Sequence, residues 1–282
     1  MGKPLKSRRI FLLTPLILLF VVGIPTGLLV REYRREQASR DLIAAIKADN
    51  APAAITALKA GADPNIRENP EKEKLSTRER FQQFIDRIVH PHIETEDHSY
   101  STPLMLCLRE EQDDPLVKVL LDAGADPNLG AMDPSAIRPD GDATPLEYTI
   151  QNDSLQSLRL LIQHRAKLNQ QGKFGETPLC KAVDLGRLEC MQILLNAGAD
   201  INAPSLRGHV PLHCACWDDG NAAAFQLLMR RHPKVNLRDD RGETPLDLAL
   251  NSGTNALISE LRQAGAKTGK ELDAEAKPIP LH

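Results

Sequence analysis

Possible metal ligands crowd together in one place only, the segment His90-Pro91-His92-Ile93-Glu94-Thr95-Glu96-Asp97-His98. Imidazole and carboxylate together suit zinc or a related divalent ion, as in a metal-dependent enzyme or a metal sensor. No regular element would aim three of these side chains at one point, so a solvated polar loop is the preferred reading and the metal site the alternative. A second candidate is Cys214-Ala215-Cys216, which has no further cysteine pair at zinc spacing and therefore reads as structural. His213, directly after Pro211-Leu212, reads as a hydrogen-bonded structural residue rather than a catalyst. The chain carries no nucleophile elbow and no phosphate-binding glycine loop. No catalytic residue, metal or cofactor is expected, and the protein is read as a non-enzyme.

These residues sit within a recurring frame. Thr-Pro-Leu occurs at Thr102, Thr144, Thr177 and Thr244, with Val210-Pro211-Leu212 in the remaining slot, and the later copies step by about 33 residues. Each member of the motif has a physical task. Thr caps free backbone N–H groups at a helix start, and Pro fits the first helical position because its missing donor would go unpaired there. In the clearest copy the inner helix is expected from Pro178 to about Leu185, ended by Gly186. The outer helix is expected from Leu188 to Ala197, ended by Gly198, with Leu188, Met191, Ile193, Leu194 and Leu195 as its apolar stripe. A helix pair of this kind cannot bury its apolar face alone and must stack on its neighbours.

This pattern, with Gly198-Ala199-Asp200-Ile201-Asn202 closing the repeat, resembles the ankyrin repeat family. The expected fold is all-α: a solenoid of about six helix-turn-helix units over residues 38–269, with units near 38–66, 101–129, 143–170, 176–203, 209–237 and 243–269. In the third unit Arg165-Ala166 replaces Gly-Ala, and in the fifth His232-Pro233 does, so those outer helices must end without the usual glycine. An insertion at 67–100 carries an amphipathic stretch with Phe81, Phe84, Ile85 and Ile88 on one face. Residues 270–282 are expected to be a disordered tail. Cys107 and Cys216 occupy small-residue positions and read as buried thiols.

The resemblance implies a protein partner bound on a concave face built from hairpin tips and inner-helix ends. Carried over position by position, the tips offer Lys173, Phe174 and Glu176, then Arg207 and His209, then Asp240, Arg241 and Glu243. The inner-helix ends add Asp184, Leu185, Trp217 and Asp218. For Trp217 a second reading stays open, in which the ring folds over the irregular turn of the fifth unit.

Residues 10–30 hold no charged side chain and have about the length of a bilayer-spanning helix. Basic residues flank the run: Lys3, Lys6, Arg8 and Arg9 on one side, Arg31, Arg34 and Arg35 on the other. The run is long for a signal peptide, so residues 10–30 are read as a retained single-pass anchor in a lipid bilayer, residues 1–9 as its basic flank and 31–37 as a charged juxtamembrane segment. The flanking charges nearly balance; the acid-free N-terminal flank favours an extracytoplasmic repeat domain, and the buried thiols favour the cytoplasmic side. A net charge of −3 gives no electrostatic case for nucleic acid. The repeat domain is expected to be a monomeric binding module or scaffold, the alternative in the same class being a purely structural subunit of a membrane complex.

Overall fold

The computed structural model describes residues 26–67, 101–109, 115–130, 143–172, 174–217 and 221–276. The chain divides into two compact units, Met1–Pro103 and Leu104–His282. Among the described residues no helix is long and apolar enough to cross a membrane. The predicted span at 10–30 lies outside the described residues up to Pro25, as do residues 68–100, with the amphipathic stretch and the His90–His98 loop, and the Asp218–Gly220 turn.

In the first unit helix α1 (Thr26–Lys47) turns back onto α2 (Ala51–Lys59). Between Val30 and Lys47 burial along α1 begins at Ala38, and Leu42, Ile43, Ala45 and Ile46 of α1 and Ala54 and Ala57 of α2 are buried where the two helices pack together. Asn50 caps α2 by accepting a hydrogen bond from the Ala53 amide at 3.0 Å. The charged residues 31–37, expected as a juxtamembrane segment, are helical and continuous with the repeat's inner helix. Nothing between Leu28 and Lys47 breaks a helix, and Arg, Glu, Gln and Ala are all good helix formers. The predicted first repeat therefore starts where burial starts, not where the helix does.

The remaining helices pair in order: α3 (Pro103–Arg109) with α4 (Pro115–Asp122), α5 (Pro145–Gln151) with α6 (Leu155–Gln163), and α7 (Pro178–Asp184) with α8 (Leu188–Asn196). Then come α9 (Pro211–Trp217) with α10 (Ala222–Met229), and α11 (Pro245–Ser252) with α12 (Asn255–Gln263). Among the described residues there are six helix pairs and no strand. Inner helices α5, α7, α9 and α11 stack in series, as do outer helices α4, α6, α8 and α10. Leu146, Leu179, Leu212 and Leu246 hold one buried row, and Ala182, Ala215 and Ala249 hold another, the three alanines at 0% exposure. The small side chains let successive inner helices approach closely.

Each recurring polar residue does its expected work. Thr144 and Thr244 form capping boxes with Glu147 and Asp247, and the Thr177 hydroxyl accepts from the Cys180 amide at 3.3 Å. The Asn that closes one repeat fastens the next: Asn169 Oδ1 accepts from the Asp200 amide at 3.0 Å, Asn202 Oδ1 from Lys234 at 2.9 Å and Asn236 Oδ1 from Lys267 at 2.8 Å.

Outer helices end in the left-handed backbone region, where Gly124, Gly198 and Gly265 have φ of 94°, 94° and 81°. Arg165 and His232 take the same place with φ of 66° and 52° and carry a side chain there, which costs an L-residue about 1–2 kcal/mol. Arg165→Gly and His232→Gly are each expected to raise stability by up to about 1 kcal/mol, after the entropy that glycine loses on folding. Thermal melts of the single and double variants check this, and a fall in melting temperature for both would show that the side chains hold these turns.

The predicted disordered tail is also corrected. Gly269–Ala276 forms a last helix, α13. Thr268 and Glu271 cap its start reciprocally, at 3.2 Å and 2.7 Å. Ion pairs Arg262–Glu271 (2.7 Å), Arg238–Asp273 (2.7 Å) and Lys267–Glu275 (2.6 Å) then hold it against the last repeats. The Arg262 guanidinium and the Thr268 amide bring the Glu271 carboxyl down to about 2. Residues 277–282 lie outside the described residues.

Candidate functional site

The hairpin tips between repeats are closed by their own backbones. The Gly172 amide donates to the Glu176 carbonyl (2.9 Å), Ser205 to His209 (2.8 Å) and Asp239 to Glu243 (2.9 Å). The tips are also joined into a ladder: the Leu206 amide donates to the Gly175 carbonyl at 2.7 Å, and Asp240 to Arg207 at 3.1 Å. A Cβ at Gly175, where φ is 73°, would collide with the Leu206 side chain, so glycine lets these two tips touch. Residues between the closing bonds are thereby presented in register along one edge.

On that edge Phe174 is 51% exposed, and Arg207, Asp240 and Arg241 are exposed as well. Glu176 and Glu243 are partly covered. At the inner-helix ends Asp184 is exposed, Leu185 is 40% exposed and Trp217 is 54% exposed. Lys173 and Asp218 lie outside the described residues.

His209 departs from its expected exposed position. Its Nε2 lies 3.1 Å from Asp239 Oδ2, and its ring stacks on His213 at 5.7 Å and tilts against Trp217 at 5.6 Å. Asp239 holds this place because its other oxygen accepts from the Arg241 and Glu243 amides, at 2.9 Å and 2.8 Å. His209 thus ties one tip to the next and supports the Trp217 ring. His213 below it is fully buried and does the structural job read from its position. Its Nδ1 accepts from the Val210 amide at 3.2 Å, so the hydrogen sits on Nε2, which donates to the Glu243 carbonyl at 3.1 Å. Burial holds its basicity below the usual imidazole range.

Lys181, Cys214 and Asp239 belong to the face but were not foreseen. Lys181 Nζ lies 3.2 Å from Glu176 Oε2 and 5.9 Å from the centre of the Phe174 ring, a cation held between a carboxylate and an aromatic face. The half-buried Cys214 lies close to both Cys180 and Asp184. Burial in repeat-forming positions, with the spacing of Lys181 to Phe174 decided only by folding, hid these roles in the sequence. Asp184 itself is unusual: desolvation first, then the charge of Glu176, push its carboxyl up to about 6.

No disulfide joins the cysteines, and Cys107, Cys180, Cys190 and Cys216 are buried. Burial pushes the Cys190 and Cys216 thiols up to about 12, which leaves them protonated and poor as nucleophiles or metal ligands. Among the described residues no group of three His, Cys, Asp or Glu side chains is placed to hold a metal ion.

Two family models match the chain, ankyrin repeats (3 copies) over residues 104–205 and ankyrin repeats (many copies) over residues 194–249. Together with the stacked helix pairs they establish that the chain belongs to the ankyrin repeat family, whose members are typically non-enzymatic protein-interaction modules. Among curated proteins it is similar to human transient receptor potential cation channel subfamily A member 1, 28% identical over 176 residues, which is 59% of this chain and 15% of that protein. It is 39% identical over 92 residues to human neurogenic locus notch homolog protein 4, covering 33% of this chain and 5% of that one. With inversin of Canis lupus familiaris it shares 32% identity over 124 residues, 44% of this chain and 11% of the relative. The chain thus spans 15% or less of the length of these relatives.

Proposed function

We propose that the chain is a membrane-tethered scaffold that binds a protein partner on the face formed by Phe174, Glu176, Asp184, Leu185, Arg207, Trp217, Asp240 and Arg241. The observation that supports it is the exposure of Phe174 and Trp217 beside aligned arginines, on tips that the backbone ladder holds in register. Trp and Arg are the side chains most often found as binding anchors, and a rigid edge spares the cost of ordering them. The tether is residues 10–30, uncharged and flanked by basic residues, with the repeats on the extracytoplasmic side. Tethering raises the local concentration of the module, so moderate affinity suffices.

Phe174→Ala combined with Arg207→Ala and Arg241→Ala is expected to weaken capture of a partner by about thirtyfold or more, the cost of losing an anchor of about 2 kcal/mol, with thermal stability unchanged. Proximity labelling with the full-length chain identifies the partner, and titration of parent and variant then measures the loss. Equal affinities would move the binding site off this face.

A further inference from the structure

Asp184 and Trp217 occupy the same register of successive inner helices, where the flanking repeats carry Gln151 and Asn251. We propose that these two residues, with Leu185 beside them, form a subsite for one basic side chain, lysine or arginine, of the protein bound on this face. The proposal rests on the binding reading above and adds the chemistry of what is bound.

Three observations carry it. First, a neighbouring arrangement in the same fold already has this composition, with Lys181 lying between the Glu176 carboxylate and the Phe174 ring. Asp184 and Trp217 repeat the carboxylate and the exposed aromatic surface one step along the array, and among the described residues no cation lies within ion-pairing distance of Asp184. Stacked helices lie about 8–10 Å apart, a gap that one extended lysine or arginine side chain crosses.

Second, Asp184 is placed against its own stability. It is the last residue of α7, where the helix dipole disfavours negative charge, and it faces the charge of Glu176. Within the molecule the charge of Lys181 offsets this most, followed by the Cys214 thiol and His209. Lys181 is engaged with Glu176, and His209 with Asp239. Its raised carboxyl pKa follows from this arrangement. An external cation would relieve it, whereas an acidic or apolar ligand would not.

Third, the Trp217 ring tilts against the His209 ring at 5.6 Å yet stays 54% exposed, so aromatic surface is available beside a neighbour that supports it. A guanidinium or ammonium over that face gains attraction from the ring while its carboxylate partner sits one helix away.

The test starts with random dodecapeptides displayed on phage and selected on the full-length chain, with counter-selection on the Asp184→Asn, Trp217→Ala double variant. The expected result is enrichment of peptides with lysine or arginine at one fixed position. A synthetic winner is then titrated while the fluorescence of Trp217, the chain's one tryptophan, is followed. Replacing its arginine by citrulline, or its lysine by norleucine, should weaken binding about tenfold or more, the loss of one charge-assisted contact. Asp184→Asn should produce a similar loss, and the two changes together little more, which identifies a direct pairing. Asp184→Asn is also expected to raise the melting temperature at pH 7.5, so that lost binding is not lost folding. Winners without a fixed cation that are still weakened by the Phe174, Arg207 and Arg241 triple variant would overturn the basic subsite and leave the binding face standing. Winners indifferent to both sets of variants, or no enrichment at all, would overturn both.

Discussion

Phe225→Ala is expected to remove about 3–5 kcal/mol of stability, the range for truncating a fully buried aromatic side chain. Phe225 is the largest fully buried side chain among the described residues, at 0% exposure, and lies in α10 at the packed position that Leu158 and Met191 hold in the two preceding repeats. Two of the buried residues of its own helix and of α9 are alanines, Ala224 and Ala215, whose short side chains cannot reach into the space left behind. Since each repeat is stabilised mainly by its neighbours, a weak fifth unit should also uncouple the sixth from the rest. Denaturant unfolding followed by circular dichroism should therefore show a lower midpoint and a broadened transition. A loss below about 1 kcal/mol would contradict the packing described for α10.

The parts of this fold that were legible in the sequence are those whose cause is local. Thr177 caps and Pro178 starts a helix whatever surrounds them, and Gly186 and Gly198 stop helices by a backbone preference of their own, so α7 and α8 end within a residue of expectation. The exposure of Phe174 and Leu185 was legible for a related reason, apolar residues standing where the repeat pattern needs none, whereas for Trp217 the sequence left an exposed and a folded-over ring both open. What escaped has distant causes. His209 is drawn out of the exposed edge by Asp239, thirty residues later, whose own position is fixed by the turn it closes. The Lys181–Phe174 pair depends on the bend of one hairpin tip.

The last helix was missed although its capping signal, Thr268 followed by Glu271, stands in the sequence. Its composition is polar, and its attachment runs through Arg238, Arg262 and Lys267, which belong to earlier elements. A pattern search for apolar periodicity has nothing to find there. The helix covers the end of the array with a charged outer surface, as a terminal cap of a repeat protein must.

Ala182→Leu is expected to lower stability by about 1–3 kcal/mol, whereas Asp184→Ala, two residues on, should leave it unchanged or slightly higher. The contrast follows from helix phase. Ala182 is 0% exposed, and α7 packs on α5 on one side and α9 on the other, so three added heavy atoms have no free volume to enter and must push an inner helix aside. Asp184 points to the surface, where its removal deletes an unfavourable charge rather than a contact. The same phase places Asp184 and Trp217 in line on the proposed binding edge, so this pair of melts tests more than packing. Equal melting temperatures for Ala182→Leu and Asp184→Ala would rotate α7 away from the assigned orientation, and the aligned edge on which partner binding rests would no longer exist.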